Sequence, residues 1–310
     1  MLQPRVIFIY KKFFSLAVTL LTSIAVLLRI ISNPLGNVFQ KKLTANDNHP
    51  LIINFLTYLF LSVICVFLAT RVTWHVLPKA FWIYSILGGI AGAIGNGFLV
   101  KALEKGDLSV LGPINAYKSV VGIVGGIILL GELPNFWGMI GIALIVYGSY
   151  FVLDTTAERF SWALLKKKEI QFRTWAMILT AIEAVFIKKI ILASSTTIAF
   201  FSWCWFGAIF SFLLLFLFKL DIKKQFSGIN FHDLNSYLFL ILCIGTMQLT
   251  TNYVLENMEV GYALSLFQLS TIISVLLGYR FFKEKDIRKK LIGSAIMITG
   301  SIVIILFKDY

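Results

Sequence analysis

Apolar residues along this chain fall into ten long runs separated by short polar connections. The runs lie near residues 13–40, 51–70, 80–101, 108–130, 136–153, 174–193, 197–218, 235–255, 261–282 and 290–307. A helix of about 20 residues crosses the roughly 30 Å hydrocarbon core of a bilayer. The pattern therefore predicts an all-α integral membrane protein with ten transmembrane helices.

The second half of the chain repeats the first. The stretch Leu103–Gly148 recurs without a gap as Leu255–Gly300, at a separation of 152 positions (255 − 103). Lys41, after the first run, matches Lys188 in the sixth, 147 positions later (188 − 41). Each unit of the repeat is therefore five helices long.

An odd number of helices per unit has a topological consequence. The second unit must enter the membrane from the side opposite to the first, which relates the units by a pseudo-two-fold axis in the membrane plane. We expect one five-helix unit at residues 1–153, an inverted one at 174–310, and a basic connecting loop at 154–173. Inverted units are the usual basis of alternating access in transporters.

Composition agrees with a membrane protein and narrows its partners. Hydrophobic residues make up 58% of the chain and charged residues only 14%, against about 25% charged in a soluble domain. The net charge of +13 is concentrated in the connecting loops, which favours contact with an anionic membrane surface over nucleic acid. We expect the lipid bilayer as a partner and no nucleic acid.

Enzymatic chemistry finds little support in the sequence. The three histidines fall far apart in loops, and the three cysteines lie singly in apolar runs. A metal site or an activated nucleophile needs several such groups close together. We expect no enzyme, no catalytic residue, no bound metal and no cofactor.

Three ionisable residues lie well inside apolar runs: Arg29, Lys118 and Glu183. A charge at the centre of a bilayer costs roughly 2.5 to 3.5 kcal/mol on insertion scales. Such groups must pair with one another or face water. They are therefore candidates for the lining of a central cavity.

The first helix carries a polar stripe. Arg29, Asn33, Asn37 and Lys41 recur every fourth residue and so share one helix face. Pro34 lies within the stripe and has no N–H to donate to the carbonyl four residues earlier, so we expect a bend. The stripe lines a cavity or, alternatively, forms a polar seam between packed helices.

Amides mark further candidate positions on other helices. Some of them match across the repeat, because Asn96 and Gln248 are 152 positions apart (248 − 96). Buried amides also tie helices together, contributing roughly 0.6 kcal/mol each on average. The candidates are Asn96, Asn115, Gln248, Asn252 and Gln268.

Two aromatic residues are added to the candidate site, because Tyr117 and Trp203 lie deep in the membrane or beside polar positions. Their rings can stack on a flat substrate or hold a cation. The alternative is ordinary packing between helices.

Glu183 has three possible roles. It can carry protons as the coupling residue, bind the ammonium group of a substrate, or neutralise Lys118 in a permanent pair. If Arg29 or Lys118 held a carboxylate while Glu183 held an amine, the substrate would be zwitterionic, as an amino acid is.

The fourth and fifth runs carry motifs that resemble a known family. They read Ala102-Leu103-Glu104-Lys105-Gly106-Asp107-Leu108-Ser109, then Gly112-Pro113-Ile114, Leu130-Gly131-Glu132-Leu133-Pro134 and Gly141 with Gly148. The second copy keeps Glu284, Gly293 and Gly300 but has Ser265 in place of Pro113. The chain resembles the drug/metabolite transporter (DMT) superfamily with paired EamA domains. The resemblance implies a carrier of small organic molecules, usually outward, through a cavity between the halves.

Loop charge and the resemblance give opposite membrane orientations. Eight Lys and Arg residues lie on the N-terminal side of the membrane and eighteen on the other, which we call the basic side. The positive-inside rule predicts that the basic side is cytoplasmic and both termini outside. The resemblance implies both termini inside, and a reporter fused after Tyr310 distinguishes the two.

Together these features predict a secondary active transporter of a small organic metabolite, an amino acid or similar, in a bacterial inner membrane. We expect alternating access, and export is the expected direction. The alternatives are a ligand-binding channel or sensor, an uptake carrier, or a drug exporter of the same fold. The sequence does not distinguish a monomer from a homodimer.

Overall fold

The computed structural model describes residues 4–118, 120–121, 135–156, 161–221, 225, 233–258 and 260–307. The motif Leu130–Pro134, which includes Glu132, lies outside the described residues.

Within the described residues, the ordered segments are helical. The helices are α1 (Pro4–Ala45), α2 (Pro50–Leu68), α3 (Lys79–Lys105), α4 (Leu108–Leu111), α5 (Phe136–Leu153), α6 (Lys168–Ala193), α7 (Thr196–Leu217), α8 (Asp233–Asn257), α9 (Val260–Leu266), α10 (Ser270–Phe282) and α11 (Ile287–Leu306). Short 3₁₀-helical segments follow α4 at Pro113–Tyr117 and α9 at Phe267–Leu269. Two more 3₁₀ segments, Ala69–Arg71 and Trp74–Val76, precede α3, and a single turn of α-helix, Trp162–Leu165, precedes α6. The all-α membrane fold predicted from the apolar runs is confirmed.

Six helices of the described chain are long and apolar enough to cross a membrane. They are residues Val18–Ala45 of α1, Pro50–Arg71 with α2, and the whole of α3, α5, α7 and α8. The other four predicted spans differ. Helix α6 carries buried charges, and α11 begins with Arg288, Lys289 and Lys290. The fourth run extends beyond the described residues, and the ninth is divided into α9 and α10.

The fourth and ninth predicted helices are interrupted at equivalent positions. Tyr117, the last residue of the first 3₁₀ turn, is the repeat mate of Leu269, the last residue of the second (269 − 117 = 152). The second unit has no proline at the position of Pro113. Proline is therefore not required for the break.

Contacts between the units are reciprocal. A Cβ atom added to Gly148 would lie 2.6 Å from the carbonyl oxygen of Gly293, and one added to Gly300 would lie 2.6 Å from that of Gly141. The backbones of α5 and α11 touch there, which only glycine allows. Helix α1 packs on α8 and α6 packs on α3, again as repeat equivalents. This exchange of partners is the pattern of two units related by a two-fold axis.

Helix α6 begins earlier than expected from the sequence. The basic connecting loop was predicted to reach residue 173, but α6 starts at Lys168. Arg173 therefore lies one turn inside a helix, and only 3% of its surface is exposed. The apolar run starts later than the helix because the first turns of α6 carry charged residues.

Candidate functional site

A cavity of about 70 Å³ lies between the two units. Such a volume holds several water molecules, since one needs about 10 to 15 Å³. Nine of the twelve candidate residues line it: Arg29, Asn33, Asn37, Asn96, Asn115, Lys118, Glu183, Trp203 and Gln248.

Three candidates do not line the cavity. Tyr117 is hydrogen-bonded to Ser149 at 2.6 Å, between the fourth helix and α5. Asn252 is fully buried, where it accepts a bond from Gln248 at 2.8 Å. Gln268 donates to the carbonyl of Leu264 within its own helix, at 3.1 Å. Tyr117 and Asn252 thus bond to neighbouring helices, whereas Gln268 bonds back to its own segment.

The cavity also contains polar residues that were not predicted from the sequence, namely Arg173, Thr180 and Thr251. Arg173 was assigned to a loop. Its Nε–H donates to the carbonyl of Leu111 at 2.7 Å. That carbonyl lies at the break after α4, where the regular helical ladder stops. The helix break thus supplies the acceptor that holds the Arg173 guanidinium in place.

Several pairs of repeat mates line the cavity together. The pairs are Asn33 with Thr180, Asn37 with Ala184, Asn96 with Gln248, Leu99 with Thr251, and Asn115 with Phe267. The separation is 147 positions for the first two pairs (180 − 33) and 152 for the others (248 − 96). A cavity lined by equivalent positions of both units lies on the axis that relates them. Because Asn33 was a candidate, the repeat alone would have identified its mate Thr180, whereas Thr251 is the mate of the apolar Leu99, which was not a candidate.

Arg29 is held by one polar and one aromatic neighbour. Its Nε–H donates to Thr251 Oγ1 at 2.8 Å, and its guanidinium lies 4.7 Å from the ring centroid of Phe267. Its Nη1 atom is buried and has no hydrogen-bond partner among the described residues. The side chain is fixed in position and retains an unused donor.

Glu183 is held by one neutral donor, the indole of Trp203. Its Oε1 atom accepts the indole N–H of Trp203 at 2.7 Å. The Trp203 ring packs 4.7 Å from that of Tyr58, whose hydroxyl accepts a bond from Asn96 at 2.8 Å. A Cβ atom on Gly92 would lie 2.2 Å from Oε1 of Glu183, so only glycine leaves room for the carboxylate.

Cations outnumber acids among the described residues that line the cavity. Lys118 interacts electrostatically with Arg173, Arg29 and Glu183. No described carboxylate lies within 4.0 Å of the charged nitrogens of these three cations. The permanent Lys118–Glu183 pair is therefore not formed in this conformation. Each unpaired charge at membrane depth costs roughly 2.5 to 3.5 kcal/mol, which a bound counter-ion would offset.

On the basic side, a carboxylate from the second unit joins two helices of the first. Glu284 Oε1 accepts from Lys41 Nζ at 2.9 Å and from the backbone N–H of Leu108 at 2.8 Å. Its Oε2 atom accepts from the N–H of Ser109 at 2.8 Å. We call these four residues the Glu284 clamp. A Cβ atom on Gly278 would lie 2.4 Å from Oε2, so this close approach also requires glycine.

The clamp lowers the pKa of its own carboxyl group. Burial alone would raise the pKa of Glu284, but the ammonium of Lys41 and the hydrogen bonds from Ser109 outweigh burial and bring the pKa below its ordinary value. Glu284 is therefore ionised at neutral pH, as its bonding to the first turn of a helix requires.

A second polar contact joins the units on the same side. Both oxygens of Asp233, at the start of α8, accept amide N–H groups from the loop after α1, from Asn46 and Asn48, each at 2.7 Å. At the opposite end, Lys188 instead donates to backbone carbonyls of its own unit, those of Leu255 and Met258. The described side-chain ion pairs that reach across to the second unit, Lys41 with Glu284 and Asp154 with Lys289, lie on the basic side.

A helical membrane fold built from two repeats around a polar cavity is the architecture of a solute transporter. The EamA-like transporter family matches residues 16–154 and again residues 168–306. The chain therefore belongs to this family, and it is a multi-pass membrane transporter of small molecules. The resemblance inferred from the motifs of the fourth and fifth runs is confirmed.

Known proteins that are similar to the chain include a transporter and a protein of known structure. An uncharacterized transporter encoded in the cobO 3′ region of Sinorhizobium sp. is 27% identical over 115 residues, which cover 36% of this chain and 82% of that protein. A protein of known crystal structure aligns with a TM-score of 0.61 at 16% identity, over 94% of this chain and 97% of the other. The second likeness concerns the fold alone.

Proposed function

We propose that the protein carries a small organic metabolite, an amino acid or a similar molecule, across the cell membrane by alternating access. Residues 1–153 and 174–310 act as the two units that rock against each other. Outward transport across a bacterial inner membrane is the proposed direction and place.

The observation that carries this proposal is the cavity lined by repeat mates. Because Asn96 and its repeat mate Gln248 both line the cavity, a substrate bound there contacts equivalent elements of both units. Inverted repeats can exchange their conformations, and the exchange opens the same site first to one side and then to the other.

The Glu284 clamp supports a conformation closed on the basic side. It links Lys41 and the N-terminus of α4 to the connection between α10 and α11, and thus holds the two units together at that end. Opening towards the basic side requires these bonds to break. A clamp of charged hydrogen bonds suits a closure that must also open, because water and ions can solvate the separated groups.

The charged residues have distinct roles in the proposed cycle. Lys118, Arg29 and Arg173 bind the acidic part of the substrate, and Glu183 serves as counter-ion or proton carrier. Glu183 suits this role because Trp203, a neutral donor, contacts it in the closed cavity.

Counterflow in proteoliposomes tests the proposal. Vesicles are loaded with a mixture of unlabelled amino acids, and the uptake of each labelled amino acid is followed without an ion gradient. A carrier accumulates label transiently by exchange. A channel or a sensor does not, and the absence of exchange for every labelled amino acid contradicts the amino-acid proposal.

Substitution of Lys118 connects the activity to the cavity. Lys118→Ala should abolish counterflow while the purified protein keeps its elution volume and melting transition. Lys79→Ala is the matched control, because Lys79 is an exposed lysine at the start of α3. Counterflow that survives Lys118→Ala removes Lys118 from the binding site.

A further inference from the structure

The charge of the cavity constrains the charge of its substrate. Three cations, Arg29, Lys118 and Arg173, line the same cavity as one acid, Glu183. Two positive charges are therefore left over in the described lining. The sequence showed only one of these two surplus charges, because Arg173 was counted with the loop charges.

Glu183 forms no ion pair with any of the three described cations of the cavity. Glu183 accepts a hydrogen bond from the neutral indole of Trp203 at 2.7 Å. No ion pair joins it to Arg29, Lys118 or Arg173 within 4.0 Å. The acid is thus held apart from the cations.

Both arginines are positioned before any ligand arrives. Thr251 holds the Nε–H of Arg29, and the Leu111 carbonyl holds that of Arg173. Each bond uses only one of the five N–H groups of a guanidinium, whose planar fork matches the two oxygens of a carboxylate. Rigid forks of this kind lose little freedom on binding an anion.

The repeat does not duplicate these charges. The repeat mate of Arg29 is Ala176 (176 − 29 = 147), and that of Lys118 is Ser270 (270 − 118 = 152). The repeat mates of the lining amides and threonines also line the cavity, whereas those of Arg29 and Lys118 do not. Pairs of repeat mates therefore form the shared lining, and the cations without a lining mate give the cavity a preference for negatively charged ligands.

We infer that the substrate bears two acidic groups and a net negative charge, as a small dicarboxylate or an acidic amino acid does. This inference rests on the proposed function. A zwitterion with one carboxylate adds no net charge and leaves both surplus cations uncompensated. A molecule with two carboxylates can occupy the guanidinium forks and Lys118 together, and the small cavity volume of about 70 Å³ favours a short one.

A binding panel on the purified full-length protein tests the inference. The probes are succinate, aspartate, alanine and sulfate at matched ionic strength, with the melting temperature as readout. A ligand that binds the folded state raises this temperature in proportion to the logarithm of its concentration above Kd. Succinate or aspartate should raise it at concentrations where alanine and sulfate do not. Succinate without aspartate indicates that an amine is not accepted, and the reverse indicates that Glu183 binds one.

Substitution of Arg173 locates the effect. Arg173→Gln should weaken the binding of the stabilising dicarboxylate about tenfold or more, because a charge-assisted hydrogen bond is lost. Arg280→Gln is the matched control at an exposed arginine and should leave the affinity unchanged. If Arg173→Gln does not fold, the wild-type panel still decides the substrate charge.

Several results overturn the inference. They are stabilisation by alanine equal to that by succinate and aspartate, stabilisation by sulfate alone, and no stabilisation by any probe. A failure of the proposed function can be distinguished from a failure of this inference. Alanine counterflow with no dicarboxylate binding leaves the carrier in place and removes the charge preference, whereas dicarboxylate binding without exchange of any labelled substrate removes the carrier.

Discussion

Replacing Glu284 with glutamine should open the transporter towards the basic side. The carboxylate of Glu284 accepts three hydrogen bonds, from Lys41, Leu108 and Ser109, at 2.8 to 2.9 Å. Glutamine retains one acceptor oxygen and turns an N–H₂ group towards donors at the other position. It also removes the charge that pairs with Lys41.

The size of the effect follows from burial. Only 3% of the Glu284 side chain and 15% of the Lys41 side chain are exposed. Removing one partner of a buried ion pair costs about 3 to 5 kcal/mol, and the partial exposure of Lys41 favours the lower figure. A loss of about 3 kcal/mol from the closed conformation shifts the closed-to-open equilibrium about a hundredfold.

The assay measures access to the cavity from each side. Asn37→Cys places a thiol in the cavity lining, four residues before Lys41, in a background where Cys65, Cys204 and Cys243 are replaced. A membrane-impermeant maleimide is added to vesicles of either orientation. With Glu284→Gln, labelling from the basic side should accelerate about a hundredfold, in line with the population shift.

A matched control uses another ion pair on the same side. Lys289 and Asp154 also join the two units, at 2.7 Å, but 52% of the Lys289 side chain is exposed. Exposed pairs contribute little, so Lys289→Gln should leave the labelling rate nearly unchanged. An unchanged rate in folded Glu284→Gln protein, or equal effects of the two substitutions, would refute the assignment of the clamp as the closure.

Further predictions concern pH and packing. Because the clamp lowers the pKa of Glu284, the stability that the ionised carboxylate contributes is complete above the ordinary carboxyl pKa and is lost as the pH falls through the lowered pKa. The difference in melting temperature between wild type and Glu284→Gln should therefore shrink on acidification. A difference that stays constant with pH contradicts this prediction. Gly293→Ala should destabilise the protein by about 1 to 3 kcal/mol, because the added methyl group would lie 2.5 Å from the carbonyl oxygen of Gly148. Gly245→Ala, whose methyl group meets only the flexible end of Leu61 at 3.0 Å, is its control in the same thermal melt.

Much of the candidate site could be predicted from the cost of placing each polar or charged side chain in the bilayer. Arg29, Lys118 and Glu183 stood out because charge is costly in hydrocarbon, and this argument needs only the apolar run around each residue. Arg173 escaped it because the first turns of α6 are polar. Its burial depends on the break after α4, which supplies the Leu111 carbonyl from 62 positions away in the chain.

Gln248 and Asn252, one helical turn apart, differ in whether they line the cavity, and this too depends on contacts between distant segments. Gln248 lines the cavity, whereas Asn252 on the same helix is buried against Thr196 of another helix. Helical periodicity gives both the same face. The rotation of α8 and the nearness of α7 determine which of the two reaches the cavity, and neither is encoded in local spacing.

By itself, the sequence determined the membrane location, the two five-helix units and the polar faces that avoid lipid, because these follow from hydropathy and from repetition along the chain. Only the tertiary structure decided which faces meet, that cations outnumber acids around the cavity among the described residues, and that Glu284 joins the second unit to the start of α4. Those features join residues far apart in the chain, so their energies depend on distances that appear only when the helices pack.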